Sequence, residues 1–281
     1  MPRRIFREMI ESRWSLPTSV CVGLDSDYDH IQTFFHRPTI KQTIVEFNRS
    51  IIEATHDLVC AYKPNIAFYE AHGVEGIAAL IETIRFINEC APKVPVILDA
   101  KRGDRGNTNN CYVKAAFEIY GADAITINPF FGAEAVEPFL KCKDKGIFIL
   151  CRTSNPGAGE FQHLMVGNLA LYQIIASHVA HQWNTNGNCG LVVGATSPQD
   201  LCNVRQIVGN MPLLIPGIGS QGGDLQRTVA AGIDSRGSGI IISVSRSIIF
   251  ASKNADFPEA SRKETEVIRD AIEAEILRIY S

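Results

Sequence analysis

Nowhere in the 281 residues do apolar side chains run unbroken for the roughly 18 positions that a membrane-spanning helix needs. The amino terminus, Met1-Pro2-Arg3-Arg4-Ile5-Phe6-Arg7-Glu8, lacks the apolar centre of a signal peptide, so a cytoplasmic protein without membrane contact is expected. C-x-x-C pairs are missing as well: Cys21, Cys60, Cys90, Cys111, Cys142, Cys151, Cys189 and Cys202 are dispersed. That spacing argues against a disulfide framework or a zinc ribbon and for reduced, buried thiols. The seven histidines include no H-E-x-x-H. His178 and His181 stand at i, i+3 in a helical stretch, but no carboxylate or cysteine completes a ligand set, and no metal site is expected. Neither sign of charge dominates, with 27 Lys and Arg against 30 Asp and Glu and a net charge of -3. Without a basic stripe, nucleic acid is not the expected main partner, although local sites for small anions remain possible. No linker or shift of composition divides the chain, so one domain over residues 1–281 is expected.

What the chain does have is a repeat. Short β-branched runs alternate with amphipathic stretches, the pattern of parallel strands covered by helices. It predicts strands over 19–24, 59–63, 94–99, 124–128, 147–152, 189–193, 213–216 and 239–244. Helices are predicted around Glu46, Ile81, Lys114, Val136, Ile174, Val204, Thr228 and Ile272. Pro95, Gly121, Gly146, Pro212 and Gly237 lie at or just before strand starts, where they end helices and redirect the backbone. Eight such units close an α/β fold of the (β/α)8, or TIM-barrel, type, with a short N-terminal helix over residues 2–13 covering its bottom. A doubly wound open sheet is the rival, but its first strand leads into a glycine-rich phosphate loop, and here Leu24-Asp25-Ser26-Asp27 follows instead. Residues 26–39 and 154–165 are the longest aperiodic connections, and in a barrel both lie over the mouth.

The chemically loaded residues gather at the carboxyl ends of these strands: Asp25, Lys63, Asp99, Lys101, Asp104, Ser154, Gln221 and Arg246. In Leu98-Asp99-Ala100-Lys101-Arg102-Gly103-Asp104 two carboxylates surround one ammonium. Strand alternation points Asp99 and Lys101 the same way, and Asp104 falls in the following loop. A solvated surface ion pair is the bland reading of such a run and would contribute little. Clustering at one end of a barrel favours proton chemistry, since catalytic groups there come from several strand ends. Lys63, in the apolar setting Ala61-Tyr62-Lys63-Pro64-Asn65, needs a carboxylate partner to keep its proton.

After the seventh strand, Pro216-Gly217-Ile218-Gly219-Ser220-Gln221-Gly222-Gly223 offers backbone N–H groups that no side chain blocks. Alone it reads equally as a tight turn. Arg246 at the end of the eighth strand adds a guanidinium beside it, and the pair points to a phosphorylated ligand.

Lys63, the Asp99-x-Lys101-x-x-Asp104 motif, the Pro216 to Gly223 loop and Arg246 resemble the orotidine 5′-phosphate decarboxylase family across all eight strands. Residues 63–70, 98–104, 153–157 and 193–196 are similar to its longer bacterial (type 2) subgroup, while Arg105 stands where that family usually has an apolar residue. The resemblance implies cofactor-free conversion of orotidine 5′-monophosphate (OMP) to uridine 5′-monophosphate (UMP) and carbon dioxide, the last step of pyrimidine nucleotide synthesis. It implies Lys101 as proton donor within the catalytic set Lys63, Asp99, Lys101 and Asp104. Asp25 and Lys63 would hold the ribose hydroxyls, Ser154 the pyrimidine, and Gln221 and Arg246 the phosphate. It further implies a homodimer in which Asp104 and Thr108 reach into the partner's site.

Three other readings stay open. A related barrel family, acting on phosphorylated keto sugars through a magnesium-bound enediolate, shares D-x-K-x-x-D but has a glutamate where this chain has Lys63. A Schiff-base aldolase would use Lys63 as nucleophile, which nearby carboxylates oppose by keeping it protonated. A non-catalytic nucleotide-binding barrel has no use for an ammonium between carboxylates.

Overall fold

In the computed structural model, which describes residues 3–219 and 223–280, eight parallel strands form the sheet: β1 Val20–Leu24, β2 Ala61–Pro64, β3 Ile97–Arg102, β4 Ala124–Ile127, β5 Gly146–Arg152, β6 Cys189–Val193, β7 Leu213–Pro216 and β8 Ile240–Val244. Their order around the sheet is β2-β1-β8-β7-β6-β5-β4-β3. The parallel bridges Tyr62↔Val96 and Asn65↔Asp99 join the two ends, so β2 meets β3 and the barrel closes. All eight expected strands and all eight expected helices are present. The helices are Ile40–Thr55, Gly73–Cys90, Gly106–Lys114, Ala133–Leu140, Leu171–His178, Pro198–Val208, Leu225–Gly232 and Phe257–Tyr280. Helix starts follow local chemistry. The Thr39 hydroxyl accepts from Gln42 N at 3.1 Å, Asp224 Oδ1 accepts from Arg227 N at 3.0 Å, and Pro198 occupies the first turn of its helix.

Alternation along each strand sorts residues into two cores. Outward side chains such as Val22, Tyr62, Leu98, Ile125 and Ile149 pack against the helices. Inward ones build the barrel interior: Cys21, Ala61, Ile97, Ala124, Phe148, Val192, Leu214 and Ile241. The N-terminal helix α1, Phe6–Trp14, closes the bottom. Phe6 is 3% exposed and meets Phe148 edge-to-face with ring centroids 5.5 Å apart. Gly146 and Gly190 make room for those rings, because a Cβ at either would lie 2.4–2.5 Å from one of them.

Several local features differ from the sequence expectation. The helices ending at Lys114 and His178 continue into π-helical turns, Ala115–Ile119 and Val179–Trp183, which a 3.6-residue period does not announce. The long connections over the mouth carry structure of their own: a short helix Tyr28–Ile31, another at Gly159–Gln162, and a small antiparallel hairpin pairing Met165–Val166 with Leu169–Ala170. Of the eight free cysteines, Cys21, Cys60, Cys151 and Cys189 are buried as expected, whereas Cys111 is exposed on its helix. His178 and His181 are both at the surface. No helix among the described residues is long and apolar enough to cross a membrane.

Candidate active site

Moving up the barrel, the inward layer changes from apolar to polar. Two residues beyond Ala61, Ile97, Ala124 and Ile241, the same inward face presents Lys63, Asp99, Thr126 and Ser243. These four, with Asp25, Lys101, Ser154 and Arg246, line a cavity of about 530 Å³ at the carboxyl ends of the strands. Its size is that of an ordinary small-molecule site.

β3 does not reach the mouth as a regular strand. The stretch from Leu98 to Arg102 faces only Ile125 to Ile127 on β4, so β3 carries a bulge there. Within it Lys101 takes φ 48°, the only positive φ at a non-glycine residue among the described residues. Left-handed backbone at a residue with a Cβ costs about 1–2 kcal/mol. The bulge is held from β4: Thr126 Oγ1 accepts from Ala100 N at 3.0 Å and from Lys101 N at 2.9 Å. Its hydroxyl also lies 2.9 Å from Asp99 Oδ1 and donates to it. Asp99 and Lys101 therefore do meet, with Lys101 Nζ 2.6 Å from Asp99 Oδ1, by way of a bulge rather than by plain alternation.

Asp99 is shared between two ammonium groups. Its second oxygen lies 3.4 Å from Lys63 Nζ, and Lys63 Nζ lies 3.8 Å from Asp25 Oδ1. The order Asp25, Lys63, Asp99, Lys101 thus alternates in sign across the floor of the cavity. Burial alone would strip the proton from Lys63, which is 4% exposed, but the Asp25 and Asp99 charges reverse that and hold its pKa above the ordinary lysine value. For Asp99, burial opposes ionisation, and the Lys63 and Lys101 charges with the hydrogen bonds from Lys101 and Thr126 bring its pKa down to about 2. Asp25 Oδ1 is buried and accepts no hydrogen bond among the described residues, which leaves it able to accept one from a ligand hydroxyl.

A further part of the lining comes from β7, β8 and the residues that follow them. Gly217 and Gly219 have φ 109° and 77°, backbone that glycine adopts without strain, and Gly223 N donates to Gly217 O at 3.1 Å. Gly217, Ile218 and Arg246 all face the cavity. Gln221, expected in the same wall, lies outside the described residues. Ser154 is pressed against β6: a Cβ at Gly194 would fall 2.7 Å from Ser154 Cα, so only glycine lets the loop sit that close. The same loop is tied down by Asp200, which accepts from Arg152 Nε at 2.8 Å and pairs with His163 Nε2 at 2.9 Å.

The cavity thus brings together Asp25, Lys63, Asp99, Lys101, Ser154 and Arg246. Asp104 and Thr108 stand apart from it. Asp104 follows β3 as expected, but its carboxylate accepts from Arg105 N at 2.6 Å and makes no ion pair among the described residues. Thr108 is half-buried on the helix Gly106–Lys114. Thr126 was not among the residues singled out from sequence, although a lone hydroxyl on the inward face of Ala124-Ile125-Thr126-Ile127 was the available signal. No group of three or more His, Cys, Asp or Glu side chains among the described residues is arranged to hold a metal.

Comparison with known proteins agrees with this geometry. The profile described as Orotidine 5′-phosphate decarboxylase / HUMPS family matches residues 18–257. The orotidine 5′-phosphate decarboxylase of Thermomicrobium roseum is 50% identical over 272 residues, covering 95% of each chain. The solved structure of Leishmania donovani OMP decarboxylase superposes with a TM-score of 0.82 at 39% identity, covering 96% of this chain and 99% of that one. The structure of Leishmania donovani UMP synthase gives a TM-score of 0.84 at 40% identity; 96% of this chain is covered but only 56% of that longer one. A family profile over residues 18–257 and relatives of such identity along nearly the whole chain have one consequence: the chain belongs to the orotidine 5′-phosphate decarboxylase / HUMPS family.

Proposed function

We propose that this protein decarboxylates OMP to UMP and carbon dioxide without a metal or organic cofactor, as the last step of pyrimidine nucleotide synthesis in the cytoplasm. The observation that carries the reading is the alternating row Asp25, Lys63, Asp99, Lys101 at the barrel mouth. Breaking the bond between C6 and the carboxylate leaves its electron pair in an orbital the pyrimidine ring cannot delocalise, so the stabilisation has to be electrostatic. The Lys101 ammonium supplies it as charge develops, then donates its proton to C6 and regains one from solvent. Arginine holds its proton too tightly for that second role. A carboxylate of Asp99 about 4 Å from the substrate carboxylate repels it by about 4 kcal/mol at an effective dielectric near 20, roughly a thousandfold in rate if relieved at the transition state. The flanking lysines cancel part of that repulsion, so carbanion stabilisation by Lys101 is the larger effect.

In this reading Asp25 and Lys63 hold the ribose hydroxyls, Ser154 contacts the pyrimidine, and Arg246 with Gln221 holds the phosphate. Binding at the phosphate end offsets the cost of seating the substrate carboxylate beside Asp99. Asp104 and Thr108, which stand outside their own chain's cavity, serve the partner's site in a homodimer. Mixing inactive Lys101→Ala and Asp104→Ala chains then restores turnover in mixed dimers, and no recovery on mixing overturns the shared site.

An enediolate enzyme would use the Asp25–Asp99 region for magnesium, yet both carboxylates already face the buried Lys63 ammonium. The deciding experiment is ultraviolet measurement of OMP consumption in metal-free buffer with a chelator. Full turnover is expected; turnover that requires added magnesium overturns the reading.

A further inference from the structure

We infer that Thr126 is a positioning residue for the reaction: its hydroxyl fixes both the backbone of Lys101 and the carboxylate of Asp99, and so aims the ammonium at the reacting carbon. The inference rests on the decarboxylase reading above and goes beyond it, since Thr126 has no place in that chemistry as a group that touches the reacting atoms.

The argument is one of hydrogen-bond capacity. A threonine hydroxyl has one proton and two acceptor positions. Both acceptor positions are taken, by Ala100 N at 3.0 Å and Lys101 N at 2.9 Å. The proton therefore has one destination, Asp99 Oδ1 at 2.9 Å, the same oxygen that meets Lys101 Nζ at 2.6 Å. Thr126 is 1% exposed, and its χ1 is restricted by branching at Cβ, so the three hydrogen bonds are held within the barrel wall.

Two features of β3 depend on that junction. The bulge sets two successive N–H groups toward β4 where regular pairing has lapsed, and the Thr126 oxygen satisfies both. Lys101 also sits in left-handed backbone at φ 48°, a conformation that persists only where its surroundings over-determine it. Without the hydroxyl, the two N–H groups lose their acceptor and Asp99 loses the donor that fixes its rotamer. The barrel itself does not depend on it, because β4 keeps its own pairing with β5 from Ala124↔Gly146 to Ile127↔Ile149.

Thr126→Val keeps the shape and removes the hydroxyl; Thr126→Ser keeps the hydroxyl and removes a methyl group. With OMP as substrate, Thr126→Val is expected to lower kcat by about 10²-fold with KM changed only a few-fold, as for a misplacement of a catalytic group by about 1 Å. Thr126→Ser is expected to stay near the wild type in kcat. UMP, which lacks the reacting carboxylate, is expected to bind Thr126→Val as it binds the wild type. Should Thr126→Val not fold, Thr126→Cys, with a weak donor of similar size, carries the same expectation. Equal kcat in the hydroxyl-free variant and the wild type overturns the inference while leaving the decarboxylase reading intact, and so does a loss in Thr126→Ser as deep as in Thr126→Val. A wild-type chain that does not consume OMP overturns both, and the two failures are told apart by the wild-type assay alone.

Discussion

Lys101 places its ammonium 2.6 Å from Asp99 Oδ1 across a single intervening residue, and does so from left-handed backbone at φ 48°. The contact is made across the β3 bulge, where the pairing with β4 shifts register. Its side chain remains 48% exposed toward the cavity, so it can meet a ligand while staying anchored to Asp99. Removing it in Lys101→Ala is expected to lower OMP turnover by about 10⁴-fold or more, combining general-acid and electrostatic losses, with folding unchanged. Lys101→Arg is expected not to rescue, since it keeps the charge but not a proton that can be given up. Near-normal decarboxylation by either variant would remove Lys101 as the proton donor.

Arg246 calls for a different outcome. It lines the cavity at the start of the short helix Arg246–Ile249, as do Gly217 and Ile218 after β7. A charge-assisted hydrogen bond to phosphate is worth about 1.5–3 kcal/mol, so Arg246→Ala is expected to raise KM for OMP by roughly 10- to 150-fold. Steady-state kinetics across substrate concentration separate the parameters. A loss of kcat deeper than the rise in KM contradicts simple anchoring and assigns Arg246 to the transition state.

The barrel was legible because hydrophobic patterning is a local property: short continuous β-branched runs and amphipathic helices of period 3.6 announce themselves without knowledge of their partners. The placement of Asp25, Lys63, Asp99, Lys101, Ser154 and Arg246 around one cavity followed from their position at strand ends. What escaped depends on contacts between strands. The bulge at Asp99 to Lys101 arises because β3 and β4 keep different lengths over the same rise, and neither strand's sequence states its neighbour's register. Thr126 escaped for the same reason, since its role is defined by two N–H groups on another strand. The side chains of Asp104 and Thr108 stand outside the cavity, and the periodicity of the strands does not say what they face.

Phe6 offers a test confined to the fold. It fills the bottom of the barrel, with its backbone N–H bonded to Asp144 O at 2.9 Å and its ring on Phe148, and neither ring lines the cavity that holds the charge row. Phe6→Ala removes a buried aromatic ring from a closed interior and is expected to destabilise by about 3–5 kcal/mol, read from denaturant unfolding. Below the unfolding transition, kcat and KM are expected to match the wild type. A change in kcat without loss of stability would mean that the helix Phe6–Trp14 communicates with the mouth.

Acid unfolding tests whether the charge row is ionised as described. Asp99 has a folded-state pKa of about 2 against an ordinary value of 3.8, because burial is outweighed by Lys63, Lys101 and Thr126. A depressed carboxylate contributes stability that is fully present above its unfolded pKa and is lost as pH falls through the folded one. The pH-linked contribution is about 2 kcal/mol, present at neutral pH and lost between about pH 4 and about pH 2. Lys63 has the opposite sign: its raised pKa gives stability that is fully present below the unfolded lysine value and lost only as pH rises through the folded one, so it adds no slope on the acid side. Unfolding free energies of the wild type and Asp99→Asn, measured from pH 5 downward, are therefore expected to converge as the wild type loses its extra term. Parallel curves would mean that Asp99 titrates like an ordinary aspartate, and the ammonium groups of Lys63 and Lys101 would then not hold it as the geometry requires.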